Sequence, residues 1–414
     1  MRTQIVALAA LLVPAAAFAG GYVVPNVNAR DLSMGGADVA AQDSASAVYS
    51  NPAALARLNG LNVSIGASLI DFRSTWSDSF KNFDGSDVTM TPKGAFPPAL
   101  YLAYGQKISE DMRFGVGAGL TVPGGGFVFW PGNWPGNGEI ISVDRKVYGA
   151  YLTAGLQLMP QLRLGGGLVY YRTTEHLVQG LNFLSSTGGI EIGTAGGAVS
   201  YDVSAELQPL KDLPLTFAVD YKHQGVQTLT GHAHGDGIPA GLRPALLDQG
   251  ITHSLTYPNQ VNVAAAFRVI APLLLTAGWT WERFHVYKSD IFVGDRGVTV
   301  TVPRDYKNGY TLRLGGEFTV LPILKLRAGI LRDTSPSRPE TLSPTLPDAS
   351  STALSVGAGL ELIPGLELNA AYFYDKQDEI TTVGKETFQG TYNTRANIFA
   401  LSVVWALGGK EKSN

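Results

Sequence analysis

Residues 310–320 read Tyr310-Thr311-Leu312-Arg313-Leu314-Gly315-Gly316-Glu317-Phe318-Thr319-Val320. Successive side chains of a strand point to opposite faces. Tyr310, Leu312, Leu314, Phe318 and Val320 therefore share one face, and Thr311, Arg313, Gly315, Glu317 and Thr319 the other. A strand that is apolar outside, polar inside and aromatic near its ends is what a lipid-facing barrel wall requires. The same period recurs. Leu273, Leu275, Ala277, Trp279 and Trp281 alternate with Thr276, Gly278, Thr280 and Glu282. Val199, Tyr201, Val203, Ala205 and Leu207 alternate with Ser200, Asp202, Ser204 and Glu206, and Leu366, Leu368, Ala370, Tyr372 and Tyr374 with Glu367, Asn369, Ala371 and Asp375. A soluble sandwich with one wet face also alternates, but its strands usually run to about five or six residues.

The links between these strands come in two kinds. Short ones, often built on Pro, are Ser109-Glu110-Asp111, Met159-Pro160-Gln161, Pro209 to Pro214, Ala271-Pro272, Leu321-Pro322 and Ile363-Pro364-Gly365. Long polar or Gly- and Pro-rich ones fall at 73–95, 123–143, 174–196, 228–253, 288–305, 333–350 and 376–394. The two kinds alternate strictly, which predicts fourteen strands with both ends on the short-turn side. Short periplasmic turns, long outer loops and an even strand count are the pattern of bacterial outer-membrane barrels.

The compartment follows from the N-terminus. Arg2, the apolar run Ile5 to Ala17 and the small-x-small site Ala17-Phe18-Ala19 form a secretory signal peptide over 1–19. The run is too short for a membrane helix and Pro14 interrupts it. The mature chain, about 395 residues, is long for one soluble domain. It holds no further run of about 18 apolar residues. The chain has no Cys, so disulfides and thiolate metal sites are excluded despite export. Charged residues make up 16%, below the roughly 25% of soluble domains. A formal charge of −3 leaves no basic footprint for nucleic acid. In lipid only helices and closed barrels satisfy every backbone group, so the composition points to a barrel. The expected architecture is all-β: a 14-stranded antiparallel transmembrane β-barrel over 61–407, followed by a polar tail, 408–414.

Residues 20–60 break the strand pattern. Ala29 to Ala37 and Ser44 to Leu55 are rich in small residues and read as short helical turns punctuated by Gly and Pro. A fourteen-strand lumen is wider than side chains alone can fill. The segment reads as an N-terminal, partly helical hatch plugging that lumen; a periplasmic tail is the competing reading.

Two motifs, Ala29-Arg30-Asp31-Leu32-Ser33-Met34-Gly35-Gly36-Ala37 and Asp43-Ser44-Ala45-Ser46-Ala47-Val48-Tyr49-Ser50-Asn51-Pro52-Ala53-Ala54-Leu55, resemble the hatch of the FadL/TodX-type outer-membrane transporters of long-chain fatty acids and aromatic hydrocarbons. Phe114 to Gly126 is similar to that family's third strand. Tyr257-Pro258, Leu326-Arg327-Ala328-Gly329, Asp333-Thr334-Ser335-Pro336, Leu346-Pro347-Asp348-Ala349 and Ala396-Asn397-Ile398 follow in the family's order. The resemblance implies ligand capture among outer loops, a pocket inside, a lateral gap at a kink in the third strand, and passive diffusion with hatch rearrangement. It implies no cofactor. The chain departs from the common pattern of a terminal aromatic, ending on Gly408-Gly409-Lys410-Glu411-Lys412-Ser413-Asn414, with Trp405 the nearest aromatic.

The candidate site residues follow from these readings. Gly35, Gly36, Asp43, Tyr49, Asn51, Pro52 and Ala53 belong to the hatch; Asn51-Pro52 reads as its hinge or as an ordinary helix cap. Gly115, Gly117, Gly119, Pro123 and Gly124 weaken one strand, since Gly removes packing and Pro cannot donate to the ladder. That run marks either a wall opening or room made for the hatch. Phe127, Phe129, Trp130 and Trp134 read as exposed loop aromatics for ligand capture, or as an interfacial belt. Among lumen-facing charges, Arg268, Arg313, Lys325 and Arg327 are candidate partners for a fatty carboxylate.

The rival classes lack support. No G-x-S-x-G elbow is present and the six His are scattered, so no enzyme is expected. His232-Ala233-His234-Gly235-Asp236 lies in a long polar loop and is more often solvated than metal-bound. A general porin usually has 16 to 18 strands and an open lumen. The expected partners are long-chain fatty acids or other hydrophobic small molecules, including aromatic hydrocarbons, with membrane lipid or detergent around a monomeric wall.

Overall fold

The computed structural model describes residue 23 and residues 28–182, 187–210, 213–241, 248–384 and 388–407. The expected signal segment 1–19 and polar tail 408–414 lie outside the described residues. Fourteen antiparallel strands close into a barrel. They are β1 Gly60–Ser77, β2 Pro98–Lys107, β3 Arg113–Phe129, β4 Ser142–Met159, β5 Leu162–Asn182, β6 Thr187–Leu207, β7 Leu215–Lys222 continued by Gly225–Asp236, and β8 Gln249–Tyr257 continued by Gln260–Ile270. Then follow β9 Leu273–Glu282, β10 Gly309–Leu321, β11 Leu324–Thr334, β12 Ser351–Ile363, β13 Leu366–Gln377 and β14 Thr391–Ala406. Each strand pairs with the next. β14 returns to β1 in a register that runs from Asn62↔Ala406 to Ser77↔Thr391. Among the described residues no helix is long and apolar enough to cross a membrane.

Alternation sets the two faces. Leu312, Leu314 and Leu401 are about 60% exposed on the outside, whereas Thr311, Glu317, Arg327 and Asn369 are buried inside. Pro160, Pro272, Pro322 and Pro364 each sit in a two-residue link on one rim, where a missing N–H costs no ladder bond. The long connections lie on the other rim. Several segments that the sequence assigns to loops are strand instead. Residues 174–196 are mostly the paired outer ends of β5 and β6, in register from Leu162↔Leu207 to Asn182↔Thr187. Much of 123–143 and 228–253 is also strand, and 288–305 holds the hairpin Ser289–Gly294 with Thr299–Pro303. These ends escape hydropathy because the outward residues, such as Thr174, His176 and Thr230, are polar. The ladder goes on where the apolar band has stopped.

The lumen is filled by residues 28–58. They form helix α1 Ala29–Ser33, a 3-10 turn Val39–Ala41, helix α2 Ala47–Ser50 and a second 3-10 turn Pro52–Arg57. α1 packs on β12 and β13, the first turn on β7 and β8, and the second turn on β3, β4 and β5. Hydrogen bonds fix it around the circumference. Asn28 Nδ2 donates to Ser64 Oγ at 3.1 Å, Ser355 Oγ to the Ser33 carbonyl at 3.0 Å, and the Ala53 amide to Ser204 Oγ at 2.8 Å. The second turn lies against the wall so closely that a Cβ on Gly115 would come 2.2 Å from the Leu55 carbonyl oxygen. The space at Gly115 is therefore occupied by backbone.

Two wall carboxylates form ion pairs with the inner segment. Glu206, fully buried on β6, accepts from Arg57 Nε at 2.8 Å, Arg163 Nη1 at 2.7 Å and Asn51 Nδ2 at 3.2 Å. Glu317 on β10 faces Arg30 at 3.8 Å and Arg327 at 2.7 Å, and Arg30 also meets Asp38 at 3.3 Å. Removing one partner of such a buried set costs about 3–5 kcal/mol, because the remaining charges keep their burial and lose their counterion. Glu206→Ala is accordingly expected to unseat the 52–57 turn. Planar-bilayer recordings should show larger and more frequent openings than the parent protein, with Glu206→Gln intermediate. Identical closed records for all three proteins would overturn this docking role.

Candidate functional site

A cavity of about 470 Å³ lies between the inner segment and the wall, within the usual range of about 300–1,000 Å³ for ligand pockets. Its inner end touches Gly35, Gly36, Tyr49, Lys222, Glu282 and Arg313. Its flank is apolar, with Ile70, Phe72, Phe127, Leu331, Phe373 and Ile398. Its outer end reaches Phe96, Pro97 and Pro98 on one side and Val122 and Gly124 to Gly126 on the other. Phe96 is 71% exposed. The cavity thus runs from the lumen to a break in the wall.

That break is encoded by three local features. β2 and β3 pair from Lys107↔Arg113 only as far as Leu100↔Leu120. Farther out, the Thr91 amide donates to the Phe129 carbonyl at 2.7 Å. The Ser68 amide of β1 donates to the Pro97 carbonyl at 3.2 Å. Backbone groups alternate in direction along an antiparallel strand, so Pro98 faces β3, and its nitrogen has no hydrogen to give. On the far side the β3–β4 register slips between Thr121 and Gly124, placing Val122-Pro123 in a bulge. Gly125 adopts φ +150°, a conformation that L side chains rarely take. Beyond Leu120, nearly every residue of β3 is buried on both faces, so the strand has bent into the lumen. Val23 forms an isolated antiparallel bridge with Gly124 at this bend.

The predicted site residues fall into place unevenly. Gly35 and Gly36 end α1 at φ +66° and +71°, and Gly36 lies against Arg313 Nε. Asp43 is half-exposed and 3.6 Å from Arg30. Tyr49 packs edge-on to Tyr151 at 5.4 Å, and its carbonyl accepts from Lys222 Nζ. Asn51 Nδ2 bridges the Val39 carbonyl at 2.9 Å and Glu206, so this residue ties two turns together rather than capping its own helix. Pro52 opens the second turn and Ala53 holds Ser204. Gly115 and Gly117 make room for the inner segment: a Cβ on Gly117 would come 2.4 Å from Val48 Cγ2. A Cβ on Gly119 would come 2.5 Å from the Tyr101 ring. Pro123 and Gly124 belong to the bend.

The loop aromatics require a correction. The sequence reads all four as exposed. Phe127, itself buried, and the partly buried Phe129 line the cavity, and Trp130 and Trp134, 3% and 2% exposed, lie outside it. Trp130 stacks on Trp134 at 4.4 Å, and Trp134 meets Trp76 and Phe388 edge-on at 6.0 and 5.2 Å. Trp130 Nε1 donates to the Pro344 carbonyl at 3.0 Å. The indoles gather the outer loops into a small core, because large rings with a single donor bury well once that donor is paired.

The candidate carboxylate partners also divide. Arg327 is buried and taken up by Glu317, Glu367 and Asn369, and Lys325 by Glu367 at 2.8 Å. Arg268 sits by a short turn, donating to the Ala271 carbonyl. Only Arg313 of the four borders the cavity, where it also donates to Thr280. Cations not singled out in the sequence border it instead. Lys93 lies 3.8 Å over the Phe129 ring and 4.0 Å from Asp144; Lys146 is 2.9 Å from the same carboxylate. Charges at outer strand ends look like any solvated loop, so no sequence signal marked them. His234 on the outer end of β7 pairs with Asp248, which raises its pKa. No group of three potential metal ligands occurs among the described residues.

A closed fourteen-strand wall and a family match over nearly the whole chain define an outer-membrane transporter of hydrophobic compounds. The chain matches, over residues 10–406, the model of the family described as outer membrane protein transport protein (OMPP1/FadL/TodX), and it belongs to that family. It is 24% identical to outer membrane protein P1 of Haemophilus influenzae, covering 95% of each chain. The crystal structure of a Pseudomonas aeruginosa FadL homologue superposes with a TM-score of 0.82 at 20% identity, covering 93% of this chain and 99% of that one. The P. putida toluene transporter TodX gives 0.71 at 14%, covering 94% and 99%. These structural likenesses establish the fold.

If Pro98 ends the β2–β3 ladder, restoring its donor should extend it. In Pro98→Ala the new amide is expected to be protected from hydrogen exchange like that of Leu100. Rapid exchange at position 98 would show that the seam is held apart by something else.

Proposed function

We propose that this protein takes up long-chain fatty acids by passive diffusion, with residues 28–58 acting as a hatch and the β2–β3 break as a lateral exit into the membrane. The observation that carries the reading is the continuity of one apolar cavity from the inner segment to the wall break. Its mouth adds the carboxylate preference. Lys93 and Lys146 share a single carboxylate, Asp144, and both lysine side chains are about half exposed. A fatty carboxylate there gains a charge-assisted bond, while its chain covers Phe72, Phe127 and Phe129. Burial of apolar chain contributes roughly 25 cal/mol per Å². Arg313 offers a second cation at the inner end. The aromatic-rich flank favours a second reading, uptake of aromatic hydrocarbons, which need no cation.

Deleting the gene and following entry of labelled oleate and of toluene separates these readings. Loss of oleate entry is expected; unchanged entry of both compounds would overturn the transport proposal. Lys93→Ala/Lys146→Ala should reduce oleate entry about tenfold or more, as for the loss of one charged hydrogen bond, and leave toluene entry unaltered. An equal fall for both compounds would reject the carboxylate site.

A further inference from the structure

The β3 bend leaves the Pro123 carbonyl without a place in either ladder. Pro123 lies in the register slip toward β4 and beyond the last pair toward β2. Its carbonyl is nonetheless satisfied: the Tyr257 hydroxyl donates to it at 2.9 Å. Tyr257 comes from β8, five strands farther round the wall. We propose that Tyr257 is the positioning residue of the wall opening, a clasp whose hydroxyl holds the β3 bend inside the lumen. The inference rests on the lateral-exit reading for its transport consequence and on geometry for the clasp itself.

The ring is built to reach that carbonyl. Tyr257 is 1% exposed and lies on Tyr171 with ring centres 4.8 Å apart. Tyr171 fits because its neighbour is Gly225, where a Cβ would come 2.6 Å from the ring. Tyr257 is also the last residue before a step in β8. β7 breaks at His223-Gln224 and β8 at Pro258-Asn259, so that Lys222↔Gln260 and Gly225↔Tyr257 pair on either side. Asn259 Oδ1 closes this step by accepting from the Gln224 amide at 2.8 Å and the Tyr221 hydroxyl at 2.9 Å. Ser200 Oγ lies 2.8 and 2.9 Å from the His223 and Gln224 carbonyls. The donor therefore sits on a part of the wall sewn together by side chains, and the acceptor on a Gly-rich part that has no ladder partner on its β2 side. A buried carbonyl without a partner is costly. With the hydroxyl present the bend is favoured inside the lumen. Without it, the segment moves toward the wall, and the break narrows.

Tyr257→Phe removes the hydroxyl and keeps the ring stack. Purified protein in micelles is compared with the parent by hydrogen exchange, and cells by oleate entry. Exchange of the Gly124–Val128 amides is expected to speed up about threefold or more, the size of one lost hydrogen bond. Oleate entry should fall by a similar factor. Tyr171→Phe, which leaves the clasp in place, should match the parent in both. Heat-modifiable migration on gels verifies the barrel in each variant. Unchanged exchange in Tyr257→Phe overturns the clasp. Faster exchange with unchanged entry overturns its role in transport. Absence of oleate entry in the parent itself strikes the transport reading, and the exchange comparison still decides the clasp.

Discussion

A backbone N–H or C=O left without a partner in hydrocarbon costs several kcal/mol, and no side chain outside the wall can repair it. That constraint forces β14 back onto β1 and places every short link at a rim. It also explains why the wall fails where it does. At Pro98 no hydrogen exists to be left unpaired, so a donor toward β3 is absent at no penalty. The freed β3 bends inward, where polar groups are available, and its Pro123 carbonyl finds the Tyr257 hydroxyl. A break in a lipid-facing ladder is tolerated because its polar groups were deleted or re-satisfied inside.

The same alternation that turns Leu312 and Leu314 outward turns Thr311, Arg313 and Glu317 inward. A lumen lined in this way cannot be filled by an apolar plug. Residues 28–58 meet it with short helical turns of small residues, whose exposed backbone ends accept wall hydroxyls such as Ser355 and donate to Ser204. Charge is handled at few points: Glu206 gathers Arg57 and Arg163, and Glu317 gathers Arg30 and Arg327. Buried pairs of this kind add little net stability when intact. They add directional ties to the apolar packing of Val48, Leu55 and Leu58 against the wall.

The wall was legible in residues such as 310–320 because lipid outside and polar groups inside impose a period of two on a single segment. The alternation of short and long links was legible for the same reason, and it places fourteen strands. The outer ends of β5 and β6 were not, since water on the outside removes the contrast between faces. The bend was half legible. Gly115 to Gly126 marks a strand with little side-chain packing, but that run mixes two causes, close approach of Leu55 and Val48 near Gly115 and Gly117, and a true ladder defect near Pro123. The other half is Pro98, and a seam is a property of two strands that one strand's sequence does not reveal. Trp130 and Trp134 misled because loop position suggests exposure, whereas their partners Trp76 and Phe388 come from distant parts of the chain.

On the proposed reading of passive lateral exit, an apolar ligand needs a route on which most of its apolar contacts are kept. The cavity meets that need by its direction. Polar groups mark both ends, Lys222, Glu282 and Arg313 inward and Lys93, Asp144 and Lys146 at the mouth, while an apolar flank leads past Phe72 and Phe127 to the break beside Phe96. A ligand moving outward exchanges protein carbon for lipid carbon, a transfer with almost no hydrophobic cost. A ligand moving straight down the lumen would have to displace Glu206 and Glu317 from their arginines. The asymmetry of these two paths, set by where polar groups are satisfied and where they are missing, favours the sideways one.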